Sequence, residues 1–441
     1  MRIYQHMTLI FITGCGVFYE LTSLEKNNTT SEDSSTLPSE SESNIEIDSG
    51  EPEQGTDETA GTEETEETDV TEATGGAEDV VIEREEPCMT NGFTEVSTID
   101  LGNYFAESFS IVNADFDKDG DVDMVMSLTE DFGPQVGKLV FYENNGFGSY
   151  TPSYEYAIPQ YHFDVATCDI NQDGFLDVIS TTHSYVYVFF YNQASGFELH
   201  QTIPVNLDGA IVCRDINNDS LPDIIGGTQI QNRAKIVVLK QQNANTFQTY
   251  WESPIIGSNS TRINDLKIAD FNNDNLLDIY SSEIYNGIAE IYLNTGNAFT
   301  KSYSKSLQER VFGIEALDVN NDGDMDIAIS SGNNGNIDVL VNDGSGTSFQ
   351  SIWQDSSIAS TIYHIHASDF DNDGYTDLYF GGFDGWMKIY LGDGNGDFHS
   401  VWEHLLVEES GFSGHTADVN QDGCMDIVAG ESGIVRVFEN Y

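Results

Sequence analysis

Asp115-Phe116-Asp117-Lys118-Asp119-Gly120-Asp121-Val122-Asp123 places carboxylates on alternate residues around a glycine, and the chain contains seven copies of this pattern. The second reads Asp169-Ile170-Asn171-Gln172-Asp173-Gly174-Phe175-Leu176-Asp177, and five more begin at Asp215, Asp270, Asp318, Asp369 and Asp418. Successive first residues lie 54, 46, 55, 48, 51 and 49 positions apart. A fixed period of this size is the mark of one supersecondary unit repeated in a stack or a ring.

Each unit repeats its strands as well. An apolar run precedes the loop (Ser110-Ile111-Val112-Asn113-Ala114), another follows it (Asp426-Ile427-Val428-Ala429), and a third comes later (Lys138-Leu139-Val140-Phe141-Tyr142). An Asn/Gly turn then leads to a fourth run opening on an aromatic, as at Phe247, Phe299, Phe349 and Phe398. Four strands with their turns fill such a period, which makes each unit one propeller blade. The seventh copy stops at Phe438-Glu439-Asn440-Tyr441, before its turn. Asn91-Gly92-Phe93-Thr94-Glu95-Val96 has the character of the missing post-turn strand. The expected fold is all-β, a seven-bladed β-propeller over residues 88–441 closed by its N-terminal strand, because closure leaves only short protected sheet edges.

Within the loops, oxygen side chains occupy positions one, three, five and nine in every copy. These are Asp115, Asp117, Asp119 and Asp123; Asp169, Asn171, Asp173 and Asp177; Asp215, Asn217, Asp219 and Asp223; Asp270, Asn272, Asp274 and Asp278. The last three copies supply Asp318, Asn320, Asp322 and Asp326; Asp369, Asp371, Asp373 and Asp377; Asp418, Asn420, Asp422 and Asp426. Alternate residues of a curled loop aim at one centre, and a hard cation with six to eight oxygen ligands fits there. Position seven (Asp121, Phe175, Leu221, Leu276, Asp324, Tyr375, Cys424) varies freely, as a backbone-carbonyl ligand would. The expectation is up to seven structural Ca²⁺ ions. Glycine at position six permits the sharp turn; Ser220 and Asn275 replace it in copies three and four, and copy three is expected to be the weakest. An EF-hand would need Glu at position twelve between helices, whereas here that position is Met126 in a strand-like run. No His or Cys converges with these oxygens, which disfavours zinc.

These loops resemble the FG-GAP/VCBS repeat family, whose best-known animal relatives are the integrin α-subunit propellers. Phe312-Gly313 before Asp318 is similar to the FG element, and Asp426-Ile427-Val428-Ala429-Gly430 approaches the GAP element, although the tripeptide Gly-Ala-Pro occurs in no copy. The resemblance spans about residues 90–441. It implies a propeller with calcium on one face and, commonly, adhesion or ligand binding.

Inner-strand residues at odd offsets before each first aspartate include Asp164, Arg214, Asp265, Lys267, Glu315, His364, His366 and His415, opposite apolar Ile111, Val165, Ile211, Leu266, Ile314 and Ile365. Glu315, His364, His366 and His415 are a candidate ligand or second-metal site near the central channel; the alternative is a wet channel wall. Trp251, Trp353 and Trp402 read as packing between blades, with a sugar-stacking surface as the alternative. Cys88 and Cys424 should lie on one face of the last blade and are a candidate disulfide. Cys168 and Cys213 differ by one in offset and are expected as packed thiols pointing to opposite sides.

Upstream, Met7–Thr13 is apolar and leads into Ile12-Thr13-Gly14-Cys15, which resembles a bacterial lipobox. Residues 1–14 are therefore expected as a signal peptide, Cys15 as the lipidated residue, and Gly16 favours the outer membrane; an ordinary secretory signal or a start at Met7 are the alternatives. Residues 15–87 form an expected disordered acidic tether: residues 20–87 hold 23 Asp/Glu against Lys26 and Arg84. The formal net charge is −59, with 16 Lys/Arg, so clustered cations for nucleic acid are missing. The chain has no apolar run of about 20 residues that would span a membrane. It also has no Gly-x-Ser-x-Gly elbow, phosphate loop or His-Glu-x-x-His. The expected function is non-catalytic binding of an extracellular protein or glycan. A polysaccharide-acting enzyme using channel residues and a structural envelope subunit are the alternatives.

Overall fold

The computed structural model describes residues 88–441, apart from 90–91, 131–136, 231–232, 244–245, 259–260, 308, 333–334, 359 and 407–410. The signal peptide, Cys15 and the tether lie outside the described residues. Every regular element among those described is a strand. Blade one uses β1 (Phe93–Ala114), β2 (Asp123–Glu130), β3 (Gly137–Asn144) and β4 (Tyr150–Ile158). Blade two is β5 (His162–Cys168), β6 (Asp177–Thr182), β7 (Val186–Asn192) and β8 (Gly196–Ile203). Blade three is β9 (Ile211–Arg214), β10 (Asp223–Ile230), β11 (Arg233–Asn243) and β12 (Thr246–Glu252). Blade four is β13 (Ile263–Ala269), β14 (Asp278–Glu283), β15 (Ile288–Asn294) and β16 (Phe299–Ser306). Blade five is β17 (Val311–Leu317), β18 (Asp326–Ser331), β19 (Asn336–Asn342) and β20 (Phe349–Asp355). Blade six is β21 (Ile362–Ser368), β22 (Asp377–Gly382), β23 (Trp386–Gly392) and β24 (Phe398–Leu405). Blade seven is β25 (Gly411–Ala417), β26 (Asp426–Asn440) and the first half of β1.

All blades are antiparallel, and in blades one to six each strand pairs with the next in sequence. Ring closure falls on β1. Its Phe93–Asp100 half pairs with β26, and its Ile111–Ala114 end pairs with β2, so one 22-residue strand is both the outer strand of blade seven and the inner strand of blade one. β26 doubles back, since the Asn440 N–H donates to Asp426 at the other end of the same strand (2.8 Å). The seven-bladed ring is thus closed by the N-terminal strand.

The core is not one mass but seven wedges, one between each pair of neighbouring blades. The wedge between blades seven and one joins Ile99 and Val437 to Met124 and Val140. Second strands are sandwiched on both sides, and β6, β14 and β18 are buried at every residue, the small polar side chains of Ser180, Thr181, Ser282 and Ser330 included. Outer strands alternate. Trp251 reaches Tyr292 and Phe299 of the next blade (ring centroids 5.5 and 4.9 Å), Trp353 reaches Tyr390 and Phe398 (both 5.2 Å), and Trp402 meets Phe93 (5.0 Å). The tryptophans pack between blades.

Two disulfides staple the ring. Cys88–Cys424 (Cα–Cα 5.7 Å) ties the start of the propeller to the seventh loop. Cys168–Cys213 (Cα–Cα 5.9 Å) joins blades two and three, and this corrects the expectation of packed thiols. Opposite parity separates residues within one sheet, but two sheets packed face to face present opposite faces to each other. Replacing Cys88 and Cys424 together by serine is expected to cost about 2–4 kcal/mol, read by denaturant unfolding. An unchanged midpoint would remove any role of the bond in closure.

Candidate metal centres

The seven loops share one coil. Position four is left-handed in every copy (Lys118, Gln172, Asn218, Asn273, Asn321, Asn372 and Gln421, φ 56–64°), and so is position six. Ser220 is the costly residue at position six, held at φ 69° where five other copies have glycine. The requirement at position four was not anticipated, although four asparagines in seven copies carry its signal.

This coil lets side-chain oxygens collect backbone N–H groups. The position-one carboxylate accepts from the N–H of position six in all seven loops (2.7–3.2 Å). Position five accepts from the N–H of position seven (2.8–3.0 Å), namely Asp121, Phe175, Leu221, Leu276, Asp324, Tyr375 and Cys424. The position-nine aspartates are buried. One oxygen of each accepts from the end of the third strand (Asn144, Tyr191, Gln241, Asn294, Asn342, Gly392 and Asn440). In six loops the other oxygen accepts from the second loop residue. Burial pushes Asp123, Asp177, Asp278, Asp326, Asp377 and Asp426 up to about 7 and Asp223 up to about 6, against the pull of those N–H groups.

Two loop oxygens are left over. Asp115 Oδ1 and Asn272 Oδ1 are buried and have no hydrogen-bond partner. Carboxylate oxygens of Asp115, Asp117 and Asp123 lie within 4.8 Å of one another, as do those of Asp369, Asp371 and Asp373. These are the two loops with aspartate at position three. A hard divalent cation fits such a donor set: it would be held by the side chains of positions one, three and five beside the buried ninth, and would supply charge neutralisation and rigidity.

The loops are also linked head to tail through position four. The Asn218 amide donates to Asn275 O (3.3 Å), Asn273 to Asp324 (2.6 Å), Asn372 to Gly423 O (3.1 Å) and Gln421 to Gly120 O (2.7 Å). Gln172 donates to Ser220 O, and the Lys118 ammonium lies over the Phe175 ring.

A second ring of contacts was not anticipated at all. Carboxamides at the end of third strands donate to the carbonyl of the second loop residue one blade back: Asn144 to Val419, Gln241 to Ile170, Asn294 to Ile216, Asn342 to Phe271 and Asn440 to Phe370 (2.7–3.0 Å). The signal was an amide recurring at the end of the third apolar run.

FG-GAP-like repeat models match residues 115–180, 169–226, 215–281, 318–380 and 369–429, together more than half of the chain. The chain belongs to the FG-GAP-like repeat family. Every match opens on the first aspartate of a loop and runs past the next loop, so the family is recognised by the coil and the strands between coils. Crystal structures of BBS1N in complex with ARL6DN, soaked with mercury or with lead, contain a chain of similar fold, with TM-scores of 0.56 and 0.53. Identity is 11%, and 78% of this chain and 96% of that chain are covered in each. No curated protein matches the sequence.

At the centre of the FG-GAP-like propeller, inner strands bring charged groups together. The Lys267 ammonium pairs with Glu315 (3.1 Å) and lies 4.0 Å from Asp265. Asp265 also accepts from the N–H groups of Leu266 and Ile314, and Asp164 accepts from Val165 and Ile211, so each clamps the inner strand of the next blade. The His366 ring lies 4.9 Å from His415 and 6.0 Å from His364, and His366 Nε2–H donates to Gly414 O (2.7 Å). Burial, His415 and Lys267 hold His366 well below the usual histidine range, and burial with Lys267 lowers His415 to about 4. Burial raises Asp164, Asp265 and Glu315. Burial by itself pulls Lys267 down, but Asp265 and Glu315 win and keep its ammonium charged. Lys267 is therefore the hub of the cluster, while exposed Arg214 turns back to Cys213 O (3.3 Å) and stands apart. Neutral imidazoles beside an ion pair offer donors and acceptors to a polar ligand, and His415 Nδ1 is buried without a partner. Lys267→Met is expected to cost about 3–5 kcal/mol, because it leaves Asp265 and Glu315 unpaired. A melting temperature within 1 °C of wild type would show that the ion pair holds nothing.

Proposed function

We propose that this FG-GAP-like propeller is a non-catalytic, calcium-loaded binding module, exported and anchored at the cell envelope through Cys15, that presents one face of its ring to an extracellular protein or glycan. What carries the reading is a division between the two ends of the ring. The seven coils, those of Asp115 and Asn272 each with an unpartnered buried oxygen, gather at one end. Antiparallel strands put the turns after β6, β14 and β22 at the other end, and these carry Tyr185, Tyr285 and Phe383 at 37, 48 and 38% exposure. Exposed aromatic side chains at one repeated turn in alternate blades suit a partner surface, because they offer large contact area at small entropy cost. Calcium rigidifies the scaffold from behind. The BBS1N–ARL6DN crystals hold a propeller of this fold in a protein complex, which supports the same use here.

The test is a protein and glycan array probed with the full chain, with calcium and with chelator. Captured ligands are expected to be lost when Tyr185, Tyr285 and Phe383 are changed together to alanine, with the calcium-dependent melting retained. Equal capture by that variant would move the site elsewhere, and turnover of a glycan by the purified chain would overturn the non-catalytic reading. Anchoring is tested by Cys15→Ser, which should shift the protein from the membrane fraction to the soluble one.

A further inference from the structure

The third loop differs from its six counterparts in a way that bears on its cation. The Lys240 ammonium lies 2.8 Å from Asp219 Oδ2, the position-five ligand, and 3.0 Å from Asn217 Oδ1, the position-three ligand. The equivalent place in the other blades is the residue before the one whose N–H caps the position-nine aspartate: Glu143, Phe190, Leu293, Val341, Leu391 and Glu439. None of these is cationic. The internal bonding of the loop has changed to match. In the other asparagine loops the position-three amide donates to the position-five carboxylate (Asn171, Asn272, Asn320, Asn420). Asn217 instead donates to Asp223 and turns its oxygen to Lys240.

We infer that the third loop carries its own cation, with Lys240 standing where the other six loops take calcium, so that the propeller holds calcium in at most six of its seven coils. The inference rests on the calcium reading of the loops above. A divalent ion and an ammonium cannot share the same two oxygens at this range, since like charges a few ångströms apart repel strongly. Calcium would have to expel a tethered competitor and break its ion pair with Asp219. Position six of this loop is Ser220 rather than glycine, which stiffens the coil against rearrangement. The neighbourhood has a metal-independent clamp as well: Cys213, two residues before Asp215, is bonded to Cys168, immediately before Asp169.

The experiment strips the full chain with chelator, restores excess calcium, counts bound ions by atomic emission, and locates them by anomalous diffraction from terbium-soaked crystals. Wild type is expected to lack an ion in the third loop, and Lys240→Met to gain one calcium there with a larger calcium-dependent rise in melting temperature. The double variant Lys240→Met/Ser220→Gly serves if the single one folds poorly. An ion in the third loop of wild type, or equal non-zero counts in wild type and both variants, overturns the inference. No calcium in any loop of any variant overturns the calcium reading itself, and this inference with it.

Discussion

Stripped of divalent cations, the propeller is expected to melt roughly 10–20 °C lower than in about 10 mM calcium. Extracellular calcium modules bind at ~10⁻⁴–10⁻³ M, so each occupied loop would stabilise the fold by about 1.4–2.7 kcal/mol at that concentration, and six loops by about 8–16 kcal/mol. That range spans the whole net stability of an ordinary domain. The effect should also depend on pH with a definite sign. In the metal-free protein, burial raises six of the position-nine carboxylates from 3.8 to about 7 and Asp223 to about 6, so the fold favours their protonated form. Their contribution is fully present below the unfolded value near 3.8 and is lost as pH rises through about 7. The chelated protein should therefore melt lower at pH 8 than at pH 5, and added calcium should raise the melting temperature more at pH 8. Scanning calorimetry at both pH values, with and without chelator, reads this directly. A chelated protein that gains stability between pH 5 and pH 8 would reverse the sign and remove the buried carboxylates from the account.

The second large effect belongs to one side chain. Asp326 is fully buried; one oxygen accepts from Val319 N–H (3.1 Å) and the other from Asn342 N–H (2.7 Å). Asn342 in turn donates to Phe271 O of the preceding blade (2.7 Å) and to Met325 O (3.0 Å). A single carboxylate thus fixes its own coil, the end of its third strand and, through Asn342, the junction between blades four and five. In Asp326→Asn one amide nitrogen must face a backbone N–H, leaving a buried donor without an acceptor. The expected loss is about 2–4 kcal/mol in denaturant unfolding, on top of any lost calcium. Asp324→Asn, at the half-buried position seven of the same loop, is the control and should cost under about 1 kcal/mol, because its one inter-loop contact, the amide of Asn273, can still donate to the asparagine oxygen. Equal losses in the two variants would mean that the buried network does no more than a single half-buried contact.

Much of this architecture was legible in the residues. The period of the aspartate coil counted the blades, and Asn91–Val96 matched against the cut-short end at Tyr441 located the closing strand. The fourth-strand tryptophans announced contact with a neighbour. All of these are local patterns, each carried by a few adjacent residues and repeated, so a linear reading reaches them. The channel was legible in part. Glu315, His366 and His415 could be placed on inner strands, yet the hub of their cluster, Lys267, emerges only from its position among four blades.

What the chain alone determined is the coil and its recurrence: alternating oxygens, residues tolerant of left-handed backbone, and apolar runs of strand length, whose preferences act within a few residues. Tertiary structure decided which of those units speak to each other. It bonded Cys168 to Cys213, because packed sheets offer opposite faces and so invert the parity that separates residues within one sheet. It set carboxamides such as Asn342 on the carbonyl of another blade, and it placed the ammonium of Lys240 in one coil out of seven. Such contacts join residues tens of positions apart, and only closing the ring fixes the distance between them.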